Sequence, residues 1–238
     1  NLTVDLVGEG ADKDIDKLVL DLKKSLHTDD IRKADRTIIN PCLEKKNEGF
    51  KTAAKVQYVA AAGKYKRDDL PYTGALKVLK AIMGYDYLWN NVRVKGGAYG
   101  CMSGFTRSGD AYFVSYRDPN LQKTLDIYNN ASSYIRKFDA DERDMTKYII
   151  GTMADLDMPL TPAAKGQRSY DAYNTGLTRE DLQKERDEIL NCSVGDIRRL
   201  ADYIDEFLKK DCICVVGSEE KINETSELYG KTENLFME

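Results

Sequence analysis

The chain has 238 residues, 42% of them hydrophobic and 32% charged, with a formal net charge of −4. That length can bury a real core as one large domain or two small ones, and the interspersed acids and bases leave no basic field for nucleic acid. No apolar run approaches the roughly 18 residues of a membrane span. Five scattered cysteines (Cys42, Cys101, Cys192, Cys212 and Cys214) read as free thiols in a reducing compartment rather than a disulfide framework.

In chain order, Leu2, Val4 and Leu6 alternate as a strand does, with no signal peptide before them, as if the chain were excised from something longer. Ile15, Leu18, Val19, Leu22 and Leu26 then share a helical face. Lys51 to Ala62 reads as a second extended stretch. A helix from Tyr72 carries Leu76, Leu79, Ile82 and Met83, runs less regularly through Leu88, Trp89 and Val92, and stops at Gly96 and Gly97. A hairpin follows, Ala98 to Phe105 and Ala111 to Tyr116, around a polar turn containing Gly109.

Asp118 and Pro119 predict a helix start, with Leu121, Leu125, Tyr128, Ser132 and Ile135 as its inner stripe. Asp139 and Glu142 predict a capping box for the next helix, whose inward residues run from Met145 to Leu156. Pro159 and Pro162 break that pattern, predicting a long ordered loop with a short helix through Gly176. Thr178 and Ser193 start two further helices, Cys212 to Val216 reads as a strand, and Ser218 to Tyr229 as a short terminal helix. The economical architecture is one two-layer α/β domain over residues 1–238, a largely antiparallel sheet with helices packed on one face.

The chemistry concentrates in Arg93-Val-Lys-Gly-Gly-Ala-Tyr99-Gly100. Arg93 offers five fixed donors and a permanent charge, suited to a carbonyl or carboxylate. Tyr99 offers a phenolic donor to an oxyanion. Gly96 and Gly97 allow a sharp turn close to a substrate. The plain alternative is a glycine-capped helix end with an arginine on its dipole and a tyrosine in the core. A phosphate cradle fits poorly, because its glycines lead into a helix N-terminus, whereas Gly96 and Gly97 follow a helix and precede a strand.

The absences are equally informative. His27 is the single histidine, at the end of the first predicted helix, whereas a catalytic zinc takes three protein ligands. No histidine sits near a serine or cysteine motif for a triad. Cys212 and Cys214 share a strand face but lack the second pair a metal clip needs. Asp155 and Asp157 cannot share a helix face. The chain is therefore expected to bind no metal and to hydrolyse nothing alone.

Three ordered stretches, Arg93 to Gly100, Ser115-Tyr-Arg-Asp-Pro-Asn-Leu-Gln-Lys-Thr-Leu125 and Asp157-Met-Pro-Leu-Thr-Pro-Ala-Ala-Lys-Gly166, carry a resemblance. From about Gly49 onward the chain resembles the C-terminal region of presequence proteases, the falcilysin-containing branch of the pitrilysin or insulinase-type zinc metallopeptidases. The resemblance implies the fourth domain of a clam-shaped peptidase whose halves enclose a peptide-sized chamber and whose zinc lies on the first domain. It implies that Arg93 anchors the substrate backbone and Tyr99 stabilises the tetrahedral intermediate, with Gly96, Gly97 and Gly100 shaping the turn. The implied partners are the N-terminal half of the same polypeptide and short unfolded peptides. The resemblance implies zinc in the full-length enzyme and none bound by this chain, and neither nucleic acid nor a membrane is expected as a partner. A bacterial cytoplasm or an organelle matrix is the expected location. A catalytically inactive scaffold subunit of the same fold is the alternative.

Overall fold

The computed structural model describes residues 3–10, 12, 13, 15–26, 47–210 and 212–236. The first regular element is helix α1 (Ile15–Ser25), followed by strands β1 (Glu48–Thr52) and β2 (Gln57–Lys64). Helix α2 (Ala75–Ile82) continues into two wide-turn segments, Met83–Tyr87 and Trp89–Val94. The hairpin is β3 (Gly100–Phe105) and β4 (Asp110–Asp118). Then come α3 (Gln122–Asn129), α4 (Ala131–Arg136), α5 (Glu142–Leu156), α6 (Pro162–Thr175) and α7 (Arg179–Leu190). Helices α8 (Val194–Arg199) and α9 (Ala201–Leu208), strand β5 (Cys212–Ser218), helix α10 (Glu219–Glu224) and strand β6 (Lys231–Asn234) complete the chain.

The six strands form one sheet in the order β3-β4-β2-β5-β1-β6. Pairings β3-β4, β4-β2 and β2-β5 are antiparallel, whereas β1 runs parallel to both β5 and β6. Paired residues share a face of a pleated sheet, so Val59, Val215, Phe113 and Gly49 look one way, toward the helices, while Tyr58, Tyr116 and Cys214 look the other. Helix α9 lies closest. A Cβ on Gly63 would stand 2.2 Å from the carbonyl oxygen of Phe207, so glycine alone lets helix and strand approach this far. Phe113 anchors the core, its ring centroid 5.0 Å from Phe207 and 5.5 Å from Tyr128, and such pairs add roughly 0.5–1.5 kcal/mol each beyond area burial.

The described residues fall into two compact units, those within 1–43 with 158–182 and those within 44–157 with 183–238. The sheet and the core belong to the second. In the first, α6 carries Gly166 against Val7, where a Cβ would stand 2.0 Å from the valine Cγ2. Helix α1 buries none of its residues, and Leu18 and Leu22 of its apolar stripe are exposed, as is Leu26 just after it.

Several elements differ from expectation. Residues 3–7 form no strand, and Val4 and Leu6 are exposed, because alternation without a ladder partner makes none; Leu2 lies outside the described residues. The single stretch from Lys51 to Ala62 is two strands joined by a turn. Asp118 is the last residue of β4 rather than an N-cap, a place Leu121 takes. Asp141, not Asp139, caps α5, accepting from the Asp144 N–H at 2.8 Å. The expected loop through Gly176 is largely the fourteen-residue α6. Thr161 caps it by accepting from the Ala164 N–H and Pro162 takes the first position, where a missing N–H costs nothing, so that proline starts a helix instead of breaking one. Strand β6 was not anticipated, and its four exposed residues explain why no apolar pattern marks it.

The irregular end of the second predicted helix has a geometric cause. At about 100° per residue, Val92 would face away from Met83. Hydrogen bonds spanning five residues, Leu88 N–H to Met83 C=O and Lys95 N–H to Asn90 C=O, unwind the turns to roughly 82° per residue and bring Val92 back beneath Met83 and Leu88. All three are fully buried, and Trp89 and Arg93 share the outward side.

Candidate active site

The wide-turn segment delivers Arg93 half-buried at its last turn. Trp89, one turn earlier, lies beneath it, with the guanidinium carbon 4.1 Å from the ring centroid. A cation over an indole face keeps its plane fixed and its donor edges free. The turn ends on Gly97 at φ 82°, a left-handed conformation that glycine adopts without steric cost. Its N–H donates to Arg93 C=O at 2.8 Å, and the Ala98 N–H donates to Val92 C=O at 3.1 Å. Ala98 is buried, and the chain emerges as Tyr99, 63% exposed, directly before β3. The glycine cap and the presented Arg/Tyr pair are thus one structure, and Tyr99 is not a core residue.

The second motif holds this turn from behind. Asn120 Nδ2 donates to Gly96 C=O at 2.6 Å, and the Asn120 N–H donates to Asp118 Oδ1 at 2.9 Å. The other carboxylate oxygen accepts from Thr124 Oγ1 at 2.7 Å, and both Asp118 and Thr124 are buried. Asp118 therefore holds Asn120 and Thr124 from inside the sheet and, through Asn120, ties the start of α3 to the glycine turn. Gly100 pairs with Tyr116 across the hairpin. The Tyr99 N–H is shared between the carbonyls of Tyr116 and Arg117 at 3.1 and 3.3 Å.

Around Tyr99 the side chains form an exposed aromatic and cationic cluster. Tyr116 meets the Tyr99 ring edge-on at 5.6 Å and Tyr58 meets Tyr116 at 5.3 Å. The guanidinium carbons of Arg93 and Arg117 each lie 5.8 Å from the Tyr99 ring centroid. Among the described residues, no carboxylate pairs with either arginine and nothing hydrogen-bonds the Tyr99 hydroxyl. Cys101, beneath the turn, is no nucleophile: burial pushes its thiol up to about 11, against the pull of Arg93.

All five residues singled out in the sequence, Arg93, Gly96, Gly97, Tyr99 and Gly100, lie in this one turn. Trp89, Tyr58, Tyr116 and Arg117 were missed. Trp89 had a signal, four positions before Arg93 on a helix; Tyr116 and Arg117 sat inside the second motif with nothing to say which way they point. No group of three or more His, Cys, Asp or Glu side chains is arranged to hold a metal among the described residues, while His27 and Cys42 lie outside them. Cys212 and Cys214 pair in register with Ala62 and Ala60. Asp157 ends α5 and receives both Arg186 Nη atoms at 2.6 Å. No described helix is long and apolar enough to cross a membrane.

Comparison with known proteins places this geometry in a family. Residues 47–219 match the model of the PreP C-terminal domain. Protein HypA of Clostridium perfringens is 51% identical over 194 residues, 82% of this chain and 20% of that protein. Presequence protease 1, chloroplastic/mitochondrial, of Arabidopsis thaliana is 38% identical over 192 residues, 79% of this chain and 18% of that protein. The chain thus spans about a fifth of the length of these curated relatives. A protease from Helicobacter pylori shares the fold with a TM-score of 0.60 at 19% identity, over 88% of this chain and 53% of that one. Pitrilysin does so with a TM-score of 0.53 at 13% identity, over 82% and 21%. The match over residues 47–219, which contains the glycine turn and strands β1 to β5, makes this chain a member of the PreP C-terminal domain family.

Proposed function

We propose that this chain is the fourth, substrate-binding domain, residues 1–238, of a longer zinc metalloendopeptidase that degrades short unfolded peptides. The observation that carries the reading is the contrast at the glycine turn. Its backbone is pinned through Asn120 and Asp118, yet the Arg93 guanidinium and Tyr99 hydroxyl carry no internal hydrogen-bond partner among the described residues. Fixed, unengaged donors are what stabilisation of developing charge requires. Arg93 anchors a substrate carbonyl and Tyr99 donates to the oxyanion formed at the scissile bond.

The described residues do not fit a zinc ion. The metal belongs to the N-terminal half of the same polypeptide, and no step of this chain's chemistry runs through it. The fragment alone is inactive, because half a chamber neither excludes water nor closes on a peptide. The location is a bacterial cytoplasm, which the Clostridium perfringens relative supports, with an organelle matrix, supported by relatives named as chloroplastic or mitochondrial, the alternative. The second reading, an inactive scaffold, has support at the level of the fold: an inactive domain of a peptidase from Pseudomonas fluorescens aligns with a TM-score of 0.54 at 18% identity.

The test is peptide hydrolysis by the full-length protein carrying Arg93→Ala or Tyr99→Phe. Loss of one oxyanion donor lowers turnover by about 10²- to 10³-fold, while an exposed hydroxyl without a partner costs little stability. Unchanged turnover in both variants would favour the scaffold.

A further inference from the structure

Strict alternation along β4 would turn Arg117 toward the helices, in phase with Phe113 and Ser115, which are fully buried. It does not go there. Against β2, Val59 pairs with Ser115 but Gln57 pairs with Asp118, so three steps of β4 face two of β2. The extra residue is a β-bulge at Tyr116 and Arg117, and both carbonyls there accept from the single Tyr99 N–H. The bulge puts Arg117 at φ 48°, and it is the single non-glycine residue with positive φ among the described residues. An arginine held in that region costs backbone energy that glycine or asparagine would not.

The strain has a visible result. The bulge keeps Arg117 on the same exposed face as Tyr116, with its guanidinium carbon 5.4 Å from that ring and 5.8 Å from Tyr99. Asp118 is sent inward to tie the turn, as described above. Tyr58, with the neighbouring phenols of Tyr116 and Tyr99, raises the Arg117 guanidinium above its ordinary pKa. Arg93 stands at the same distance from the same Tyr99 ring. Two guanidiniums therefore flank Tyr99 with no carboxylate paired to either among the described residues, on a chain whose net charge is −4. Like charges held together raise the local positive potential, and a planar fork matches a carboxylate in two parallel hydrogen bonds.

We propose that Arg117 is a second substrate-binding arginine, positioned by the bulge beside Tyr99 to receive a carboxylate of the bound peptide, either its free C-terminus or an acidic side chain. The assignment rests on the peptidase reading and extends it from gripping a backbone to selecting a charge. Arg93 holds the carbonyl at the reacting bond, and Arg117 sets which peptides are favoured there.

The experiment uses the full-length protein and matched peptides that differ in one group: C-terminal acid against amide, and internal Asp against Asn. Arg117→Asn and Arg117→Gly both accept the positive φ, and both are expected to melt no lower than the wild type. In them the kcat/KM preference for the carboxylate-bearing member of a pair falls about tenfold, and Arg117→Lys restores part of it. The pair that responds identifies the source of the carboxylate. A preference that is absent in the wild type, or equal in wild type and Arg117→Asn, overturns the assignment and leaves the peptidase reading standing. A markedly lower melting point in both variants makes the role structural and also overturns it. If Arg93→Ala and Tyr99→Phe leave turnover unchanged, the peptidase reading fails instead. Anisotropy of the same fluorescein-labelled peptides on chelator-treated protein then decides Arg117 alone, by whether Arg117→Asn abolishes tighter binding of the acid.

Discussion

Thr124→Val tests the knot that supports the glycine turn. Thr124 is 1% exposed and donates to Asp118, itself 0% exposed, at 2.7 Å. Valine has nearly the same shape, so no cavity opens, and what disappears is one hydrogen bond to a buried carboxylate. Such bonds contribute about 1.5–3 kcal/mol, and the oxygen left unpaired adds its desolvation. Replacing the hydroxyl with a methyl returns roughly 0.8 kcal/mol of apolar burial. The net loss is about 1–2 kcal/mol, or a melting shift of roughly 2–8 °C for a chain of this size. Urea unfolding with an unchanged m-value is the assay. Because Asp118 also fixes Asn120, the loss should couple to Asn120→Ala in a double-mutant cycle, by about 0.5–1 kcal/mol. A midpoint within about 0.5 kcal/mol of the wild type, with additive double mutants, would refute the account of Asp118 as the tie between α3 and the turn.

Two other predictions follow from single contacts. Gly63→Ala places a methyl 2.2 Å from the Phe207 carbonyl oxygen and 3.1 Å from Lys210 Cβ; backbone cannot yield there, so α9 is forced off β2 at a cost of about 1–3 kcal/mol, and a variant that melts with the wild type would contradict the packing. Burial pushes the Cys101 thiol up to about 11, so at pH 8 only about one molecule in a thousand carries the thiolate. Peptide mapping after iodoacetamide should leave Cys101 unlabelled at pH 8 while the exposed Cys214 reacts. The folded pKa lies above that of the unfolded thiol, so Cys101's contribution to stability is intact below the ordinary thiol pKa and is lost as pH rises toward 11. Labelling of Cys101 as fast as Cys214 would refute its burial.

Local chemistry made much of the fold readable. The hairpin, the Thr178 and Ser193 caps and the glycine stop after Arg93 depend on contacts within a few residues, and each is found where its residues indicate. The misreadings share a cause. Pro162 was taken as a breaker because a proline in isolation removes an N–H, yet at a first helical position that N–H has no partner to lose. Leu2, Val4 and Leu6 have the alternation of a strand, but a strand exists only where another strand offers its ladder. Strand β6 is the reverse case, four exposed polar residues made a strand by pairing with β1.

For the site, the sequence by itself determined that Arg93 and Tyr99 flank a glycine turn between helix and strand, since glycine's freedom at positive φ is a property of the residue alone. The tertiary structure decided which side chains face the same way. The wide turns that rotate Val92 inward and leave Trp89 under Arg93 are set by packing against the sheet. The bulge that brings Arg117 beside Tyr99 is set by the register of β4 against β2. Both shift the phase of a periodic element by a fraction of a turn or one residue, and phase is fixed by neighbours distant in sequence, which no local pattern contains.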